Sequence, residues 1–274
     1  MAERRVSRKE WQRRLFAPWS ERNGDFSPLK AAVLAAVVAP GVWLLVQLMR
    51  GELLPLPETA ITRETGLWAI RFLMLTLAIT PLRKILGWPK LISVRRMLGI
   101  AALVYTALHM TAWIADLAYD WSTVASEIVL RLYLTVGTLA LVIMIPLGIT
   151  STDAMVRRLG GRRWRRLHQL VYGVGVLAIL HFYLLLEKLT TPEAQILVGL
   201  FVWMMAWRAL QAWRGAIHPP MALGLAVAAG FATMGIEIAY YELFTTLDAA
   251  RWVWAANWSL EGGLRAGWIV MIVG

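Results

Sequence analysis

Seven runs of mostly apolar residues follow one another along the chain, and each is close to the length that a helix needs to cross a bilayer. A hydrocarbon core about 30 Å thick takes about 20 apolar residues in an α-helix. The runs are Leu29 to Met49, Leu67 to Leu82, Met97 to Leu117, Val129 to Thr150, Leu170 to Leu186, Ile196 to Trp213 and Met221 to Tyr240. The predicted fold is therefore all-α, an integral membrane helical bundle.

An eighth apolar stretch, from Trp252 to Val273, has Glu261, Gly262, Gly263 and Arg265 in its middle. Charged residues and paired glycines interrupt a membrane helix, so the sequence leaves three structures open for it. It is an eighth span, a re-entrant piece or an interfacial segment. The C-terminal part of the bundle therefore has one or two helices after the sixth run.

The composition excludes several classes of protein and of redox site. Of the 274 residues, 59% are hydrophobic and only 16% are charged, which is more apolar surface than a soluble fold of this length buries. The net charge of +11 resides in short loops, so nucleic-acid binding is not expected and contact with membrane lipid is. Because the chain has no cysteine, a redox metal would depend on His, Met, Tyr or carboxylate ligands.

The loops alternate in charge, which predicts the orientation of the bundle. The loop 83–96 has five basic residues and no acid, and the loop 151–167 has six arginines against Asp153 alone. The intervening loops are short and mildly acidic, and the positive-inside rule places the basic loops in the cytoplasm. Residues 1–28 then form a basic cytoplasmic tail, amphipathic around Trp11 and Trp19, and the N-terminus is cytoplasmic.

Two of the four histidines, His109 and His181, lie inside apolar runs that have the same predicted direction. An ionisable side chain at membrane depth is costly and suggests a functional site, although an imidazole can also simply bond a neighbouring helix. Both lie about 11 or 12 residues into their helices and so reach a similar depth. Two facing imidazoles at one depth are typical of six-coordinate haem iron, which predicts an outer haem between His109 and His181.

His168 begins the fifth run and lies 13 residues before His181, a separation of about 20 Å along a helix. That spacing suits a second haem in the inner leaflet, but 13 residues do not place both side chains on one helix face. Either the two haems lie on different sides, or the start of this helix is irregular. Alternatively, His168 is an ordinary interfacial histidine. His218, before Pro219 and Pro220, is predicted to lie in a loop.

Arg95 stands 14 residues before His109, which is close to four helical turns and therefore nearly the same face. It could bond a haem propionate, act as an unusual axial group, or belong only to the basic loop. Gly99, Gly173 and Gly175 lie near these positions and would let a flat macrocycle approach the backbone, although small residues also favour close helix packing.

An ordered series of short motifs is similar to those of the MsrQ (YedZ) family, in the ferric-reductase-like transmembrane group. The motifs are Ile79-Thr80-Pro81-Leu82, Val94-Arg95-Arg96-Met97-Leu98-Gly99, Leu108-His109-Met110-Thr111, Thr150-Ser151-Thr152-Asp153-Ala154-Met155 and Trp164-Arg165-Arg166-Leu167-His168-Gln169-Leu170-Val171-Tyr172, with His181 following. The resemblance covers roughly residues 60 to 215. It implies a six-helix haem-binding core, here 29–215, followed by a membrane extension, 216–274, that the family does not explain.

The resemblance also implies a function. It makes the chain the haem-binding subunit of a methionine sulfoxide reductase system in the bacterial inner membrane, with His109, His168 and His181 at the family's motif positions. Expected cofactors are haem b, one or two, and FMN, for which no residue set is found. The partner would be a periplasmic MsrP-like molybdopterin subunit, and the donor the quinone pool or a cytoplasmic flavin reductase. Arg95 replaces the fourth histidine of the wider group. A cytochrome b with another acceptor, or a non-redox transporter or assembly factor, are the alternatives.

Overall fold

The computed structural model describes residues 18–21, 23–185, 192–244, 248–259 and 263–274, and the described residues form helices joined by short connections. The α-helices, numbered in chain order, are α1 Pro28–Met49, α2 Pro57–Ile85, α3 Arg95–Asp116, α4 Trp121–Leu130, α5 Leu132–Ile149, α6 Asp153–Leu159, α7 Gly161–His168, α8 Leu170–Tyr183, α9 Pro192–Arg214, α10 Pro219–Phe244, α11 Ala249–Trp258 and α12 Ala266–Val273. A 3₁₀-helix, Pro89–Val94, leads into α3. The prediction of an all-α fold is confirmed.

Six of the predicted runs form helices that are long and apolar enough to cross a membrane: Pro28–Met49, Pro57–Ile85, Pro89–Asp116, Leu132–Ile149, Pro192–Arg214 and Pro219–Leu243. The fifth run differs, because its helix α8 has only 14 residues. Its predicted end at Leu186 and the residues up to 191 lie outside the described part of the chain. The six long apolar helices confirm the prediction of a multi-pass membrane bundle.

The chain divides into two compact units, one ending at Trp121 and the other beginning at Ser122. In the first unit, α2 and α3 pack along each other as a hairpin. The ring of Phe72 lies 5.2 Å from that of Tyr105, and the Tyr105 hydroxyl donates to the carbonyl of Val37 in α1 at 2.9 Å. This hairpin fixes the face of α3 from which His109 projects.

In the second unit, α5 packs along α8, and α9, α10 and α12 form a cluster with very close backbones. A Cβ added at Gly230 would lie 2.7 Å from the carbonyl oxygen of Gly267, and one added at Gly267 would lie 3.0 Å from that of Gly230. Neither helix could come this near the other with a side chain at these positions. The close contact holds α12 against α10.

The eighth apolar stretch, from Trp252 to Val273, is not one continuous helix. It forms α11 and α12, and the helix is interrupted between Trp258 and Ala266. Gly263 in this interruption has a left-handed backbone, φ +85°, which glycine adopts without steric cost. Within the described residues, the C-terminal extension therefore consists of α10 and a broken pair of short helices. The tail up to residue 17 lies outside the described part of the chain.

Candidate functional site

The imidazole of His109 is fixed by the backbone of the neighbouring helix. Its Nδ1 lies 2.7 Å from the carbonyl oxygen of Thr62 in α2. A carbonyl oxygen only accepts hydrogen bonds, so Nδ1 must donate the proton. In the neutral ring this places the lone pair on Nε2, the nitrogen that a metal would use.

Gly66, one turn after Thr62, makes this contact possible. A Cβ added at Gly66 would lie 2.8 Å from Nδ1 of His109 and 3.0 Å from its Cε1. Real Cβ atoms do not come so close to another side chain, so any larger residue would push the ring or the helix away. The glycine therefore provides the space into which the imidazole fits.

His181 in the second unit has the same arrangement. Its Nδ1 lies 2.7 Å from the carbonyl oxygen of Tyr133 in α5. Gly137 follows Tyr133 by one turn, and a Cβ added there would lie 2.8 Å from Nδ1 of His181. This second imidazole is thus also held in the tautomer with its lone pair on Nε2.

The two units repeat one local design. In each, a helix supplies a carbonyl and, four residues later, a glycine, and the histidine lies 47 or 48 residues after the carbonyl. Histidines that ligate metals commonly donate their other ring N–H to a carbonyl, which fixes the ring and increases its basicity. Two such imidazoles fit the axial ligands of haem iron, and a chain without cysteine fits a non-covalently bound, b-type haem.

The glycines that accompany the histidines are not the ones that the sequence suggested. Nothing lies within 4 Å of a Cβ added at Gly173, whereas one added at Gly175 would collide with the ring of Phe201 in α9. A Cβ at Gly99 would make an ordinary contact with Thr76, at 3.6 Å. Gly66 and Gly137 went unnoticed because only their spacing from Thr62 and Tyr133, four residues, could have marked them.

His168 has a different environment. Its Nε2 lies 3.1 Å from the hydroxyl oxygen of Thr150, and that hydroxyl donates its own proton to the carbonyl of Pro146 at 2.6 Å. The Thr150 oxygen therefore accepts from His168, which puts the proton on Nε2. Iron could bind Nε2 only after this hydrogen bond is exchanged.

Trp164 packs on the same histidine. Its ring stacks on that of His168 with centroids 4.0 Å apart, and its Nε1 donates to the carbonyl of Thr150 at 2.9 Å. The irregular start of the predicted fifth helix also appears here, because α7 ends at His168 and α8 begins at Leu170.

We expect Thr150→Val to lower the free energy of unfolding by about 1–2 kcal/mol, because it leaves a half-buried imidazole N–H without its acceptor. The midpoint of thermal unfolding of the detergent-solubilised protein would fall accordingly. Ser126→Ala, which removes an exposed hydroxyl bonded to its own helix, is the matched control. An unchanged midpoint for Thr150→Val would mean that the bond to His168 adds no stability.

Arg95 is the first residue of α3 and is half-buried. It lies in the first unit with His109, whereas His168 and His181 lie in the second. His218 lies in the loop before α10, as predicted, and its carbonyl accepts from Met221 and Ala222. No group of three or more His, Cys, Asp or Glu side chains that could hold a metal ion occurs among the described residues.

Comparison with known proteins places this arrangement in a family. The model of the ferric-reductase-like transmembrane component matches residues 65–179, a range that contains His109 and His168. The protein-methionine-sulfoxide reductase heme-binding subunit MsrQ of Rhodospirillum rubrum is 41% identical over 186 residues, which are 68% of this chain and 89% of the relative. The chain belongs to the MsrQ family. The resemblance in the sequence motifs is thereby confirmed.

Other MsrQ subunits show the same extent of similarity. That of Xanthomonas campestris pv. campestris is 44% identical over 186 residues, covering 65% of this chain and 84% of the relative. That of Azospira oryzae is 35% identical over 188 residues, covering 68% and 81%. No solved structure matches the chain. About a third of this MsrQ-family chain lies outside each of these alignments.

Proposed function

We propose that this chain carries electrons across the bacterial inner membrane through b-type haem ligated by His109 and His181. The observation that carries the proposal is the repeated bond from Nδ1 to a backbone carbonyl, at 2.7 Å in both units. Ordinary helix packing does not require two histidines to have the same tautomer, each beside a glycine of the neighbouring helix. The relatives are named heme-binding subunits, which supports the same cofactor here.

The protein's own groups would control the properties of that haem. The carbonyls of Thr62 and Tyr133 orient the rings, and with haem bound they would make Nε2 a stronger donor to iron, which would favour the ferric state and tune the reduction potential. Haem, when bound, supplies one-electron chemistry. The fixed rings would require little rearrangement when the charge of the site changes.

The direction of transfer follows from the predicted orientation and from the family. Electrons would come from the quinone pool or from a cytoplasmic flavin reductase, and would leave at the acidic outer loops to a periplasmic MsrP-like molybdopterin subunit. That partner would reduce methionine sulfoxide in oxidised envelope proteins, so the chain itself would be the electron-transfer subunit of the reductase. The name of the relatives supports this assignment, since they are subunits of a methionine sulfoxide reductase.

A second haem at His168, with Arg95 as an axial or propionate-binding group, is the finer part of the proposal. The bond between Nε2 of His168 and Thr150 makes this histidine less ready to bind iron than His109 and His181. A single haem at His109 and His181 is therefore the version that the local geometry supports best. The expectation that FMN also binds rests on the family resemblance alone.

A ferric-reductase-like or quinol-linked cytochrome b with another acceptor is the second candidate, and the match of residues 65–179 to the ferric-reductase-like component favours it. This candidate would have the same haem but would pass its electrons to a different acceptor. A non-redox transporter or assembly factor would have neither haem nor an electron acceptor.

The test is the absorption spectrum of the purified protein, oxidised and dithionite-reduced, with a pyridine haemochrome assay to count haem. We expect reduced b-type bands, and reoxidation by an MsrP-like subunit supplied with a methionine sulfoxide substrate. Reoxidation by ferric chelates alone would favour the second candidate. A colourless protein after haem-supplemented expression would contradict both and favour the non-redox alternative.

A further inference from the structure

The two short helices α6 and α7 carry a dense set of positive charges. Asp153 is the only acidic residue in the segment 151–167, and the segment has six exposed arginines: Arg157, Arg158, Arg162, Arg163, Arg165 and Arg166. None of their guanidinium groups has an ion-pair or hydrogen-bond partner among the residues that the structure describes. These six cations are therefore available to an anion from outside the chain.

The orientation of α7 is fixed by the face that carries Trp164 and His168. Both residues bond to Thr150 at the end of α5, where Nε1 of Trp164 donates to the carbonyl at 2.9 Å and Nε2 of His168 lies 3.1 Å from the hydroxyl oxygen. With 3.6 residues per turn, Arg162 and Arg166 each point about 160° away from Trp164. Like charges four residues apart on a helix repel each other, and an anion between these two arginines would remove that repulsion.

An exposed apolar row on α8 continues the line of these two arginines. The exposed positions of α8 recur every three or four residues and are Leu170, Gly173, Val176 and Leu180. Gln169 separates the two helices, but its backbone stays right-handed helical, φ −69° and ψ −21°, so the row keeps its direction there. Together with Arg162 and Arg166, the four residues form the amphiphilic row, which is charged at one end and apolar along the rest.

The apolar part of the amphiphilic row has the length of one leaflet of a bilayer. From Leu170 to Leu180 a helix rises by about 15 Å, which is half of a hydrocarbon core about 30 Å thick. Leu170 is 48% exposed and Val176 54%. Between them, a Cβ added at Gly173 would meet nothing within 4 Å, so the row has a notch at this position. An acyl chain can lie in this notch while its headgroup reaches the level of Arg166.

The charged end of the row selects the headgroup. A guanidinium group donates two parallel hydrogen bonds to phosphate oxygens, so Arg162 and Arg166 can both bind one phosphodiester. A zwitterionic headgroup brings its own cation, which the neighbouring arginines would repel, whereas an anionic headgroup does not. Basic clusters beside membrane helices commonly bind anionic lipids. A soluble anion would satisfy the arginines but would leave the apolar part of the row without a partner.

We propose that the amphiphilic row binds one anionic phospholipid, with its phosphate between Arg162 and Arg166 and one acyl chain along Leu170, Gly173 and Val176. The lipid would join α7 to α8 and stabilise the helix that carries His181. This site goes beyond the proposed function, because its occupation does not require haem or electron transfer.

The test counts bound lipids by native mass spectrometry while delipidated protein in a neutral detergent is titrated with phosphatidylglycerol or phosphatidylcholine. We expect the unaltered protein to bind one phosphatidylglycerol more tightly than phosphatidylcholine. The double variant Arg162→Gln/Arg166→Gln should bind phosphatidylglycerol about thirtyfold more weakly, since each basic residue at headgroup level contributes about fivefold. The matched control, Arg157→Gln/Arg158→Gln, removes the same charge from exposed positions on α6 and should bind it nearly as tightly as the unaltered protein.

A second measurement follows the thermal unfolding midpoint. Phosphatidylglycerol should raise the midpoint of the unaltered protein and of the control, but not that of Arg162→Gln/Arg166→Gln, since a ligand stabilises the state that binds it. Equal loss of affinity in the two double variants would mean that the arginines act only through net charge, and it would overturn the site. Equal binding of the two lipids by the unaltered protein, or an equal rise of its midpoint with inorganic phosphate, would overturn it too.

Discussion

His109→Ala and His181→Ala will each abolish the reduced b-type bands of the purified protein, or leave a five-coordinate, high-spin spectrum. On the proposed function each change would remove one axial imidazole, and its carbonyl partner, Thr62 or Tyr133, offers no replacement nitrogen. Haem content measured as pyridine haemochrome should fall by about tenfold, because loss of one metal-bound or oriented ligand costs at least that much affinity. Adding imidazole should restore part of the six-coordinate spectrum.

His218→Ala is the matched control, since this histidine lies in the loop before α10. Its spectrum and haem content should equal those of the unaltered protein. If His109→Ala and His181→Ala both retained full low-spin bands, the iron would have other ligands and the proposed site would be wrong.

Gly66→Ala and Gly137→Ala should disturb the haem without removing any ligand atom. The new Cβ would lie 2.8 Å from Nδ1 of His109 or His181, so the ring must tilt or the helices must separate. Either shift weakens the bond to the carbonyl and costs about 1–3 kcal/mol. We expect a lower haem content, a shifted reduction potential and a lower thermal midpoint.

Gly173→Ala separates the effect of crowding from that of a changed helix propensity. A Cβ there meets nothing within 4 Å, and alanine in a helix is favoured over glycine by about 0.5–1 kcal/mol. This variant should therefore be as stable as the parent or more stable, with an unchanged spectrum. Equal behaviour of all three variants would show that the glycines do not position the imidazoles.

The apolar runs and the histidines could be found from the sequence because both signals are local. A span requires about 20 apolar residues in any tertiary arrangement, and a histidine inside one is unusual wherever the helix packs. The spacing of His168 and His181 left an irregular start of the fifth run as one of two possibilities, and the helix is indeed interrupted there, between His168 and Leu170. The two histidines at one depth suggested haem, and the family motifs around them supported it.

The extension shows where local signals fail. Glu261, Gly262, Gly263 and Arg265 made an interruption visible in the sequence, but not its partners. Glu237 lies 28 residues before Arg265 and 20 before Asn257. Both short helices contact it, and the position of α12 depends on the close approach of Gly230 and Gly267, which follows from packing.

The sequence by itself determined that the chain enters a membrane as a series of apolar helices, and which few ionisable side chains lie at depth. Only the tertiary structure decided what holds them: Thr62 and Gly66 for His109, Tyr133 and Gly137 for His181, and Thr150 for His168. Hydropathy acts on each segment separately, through transfer into the bilayer. A hydrogen bond between residues 47 positions apart depends on the rotation and depth of one helix against another, which side-chain packing alone sets.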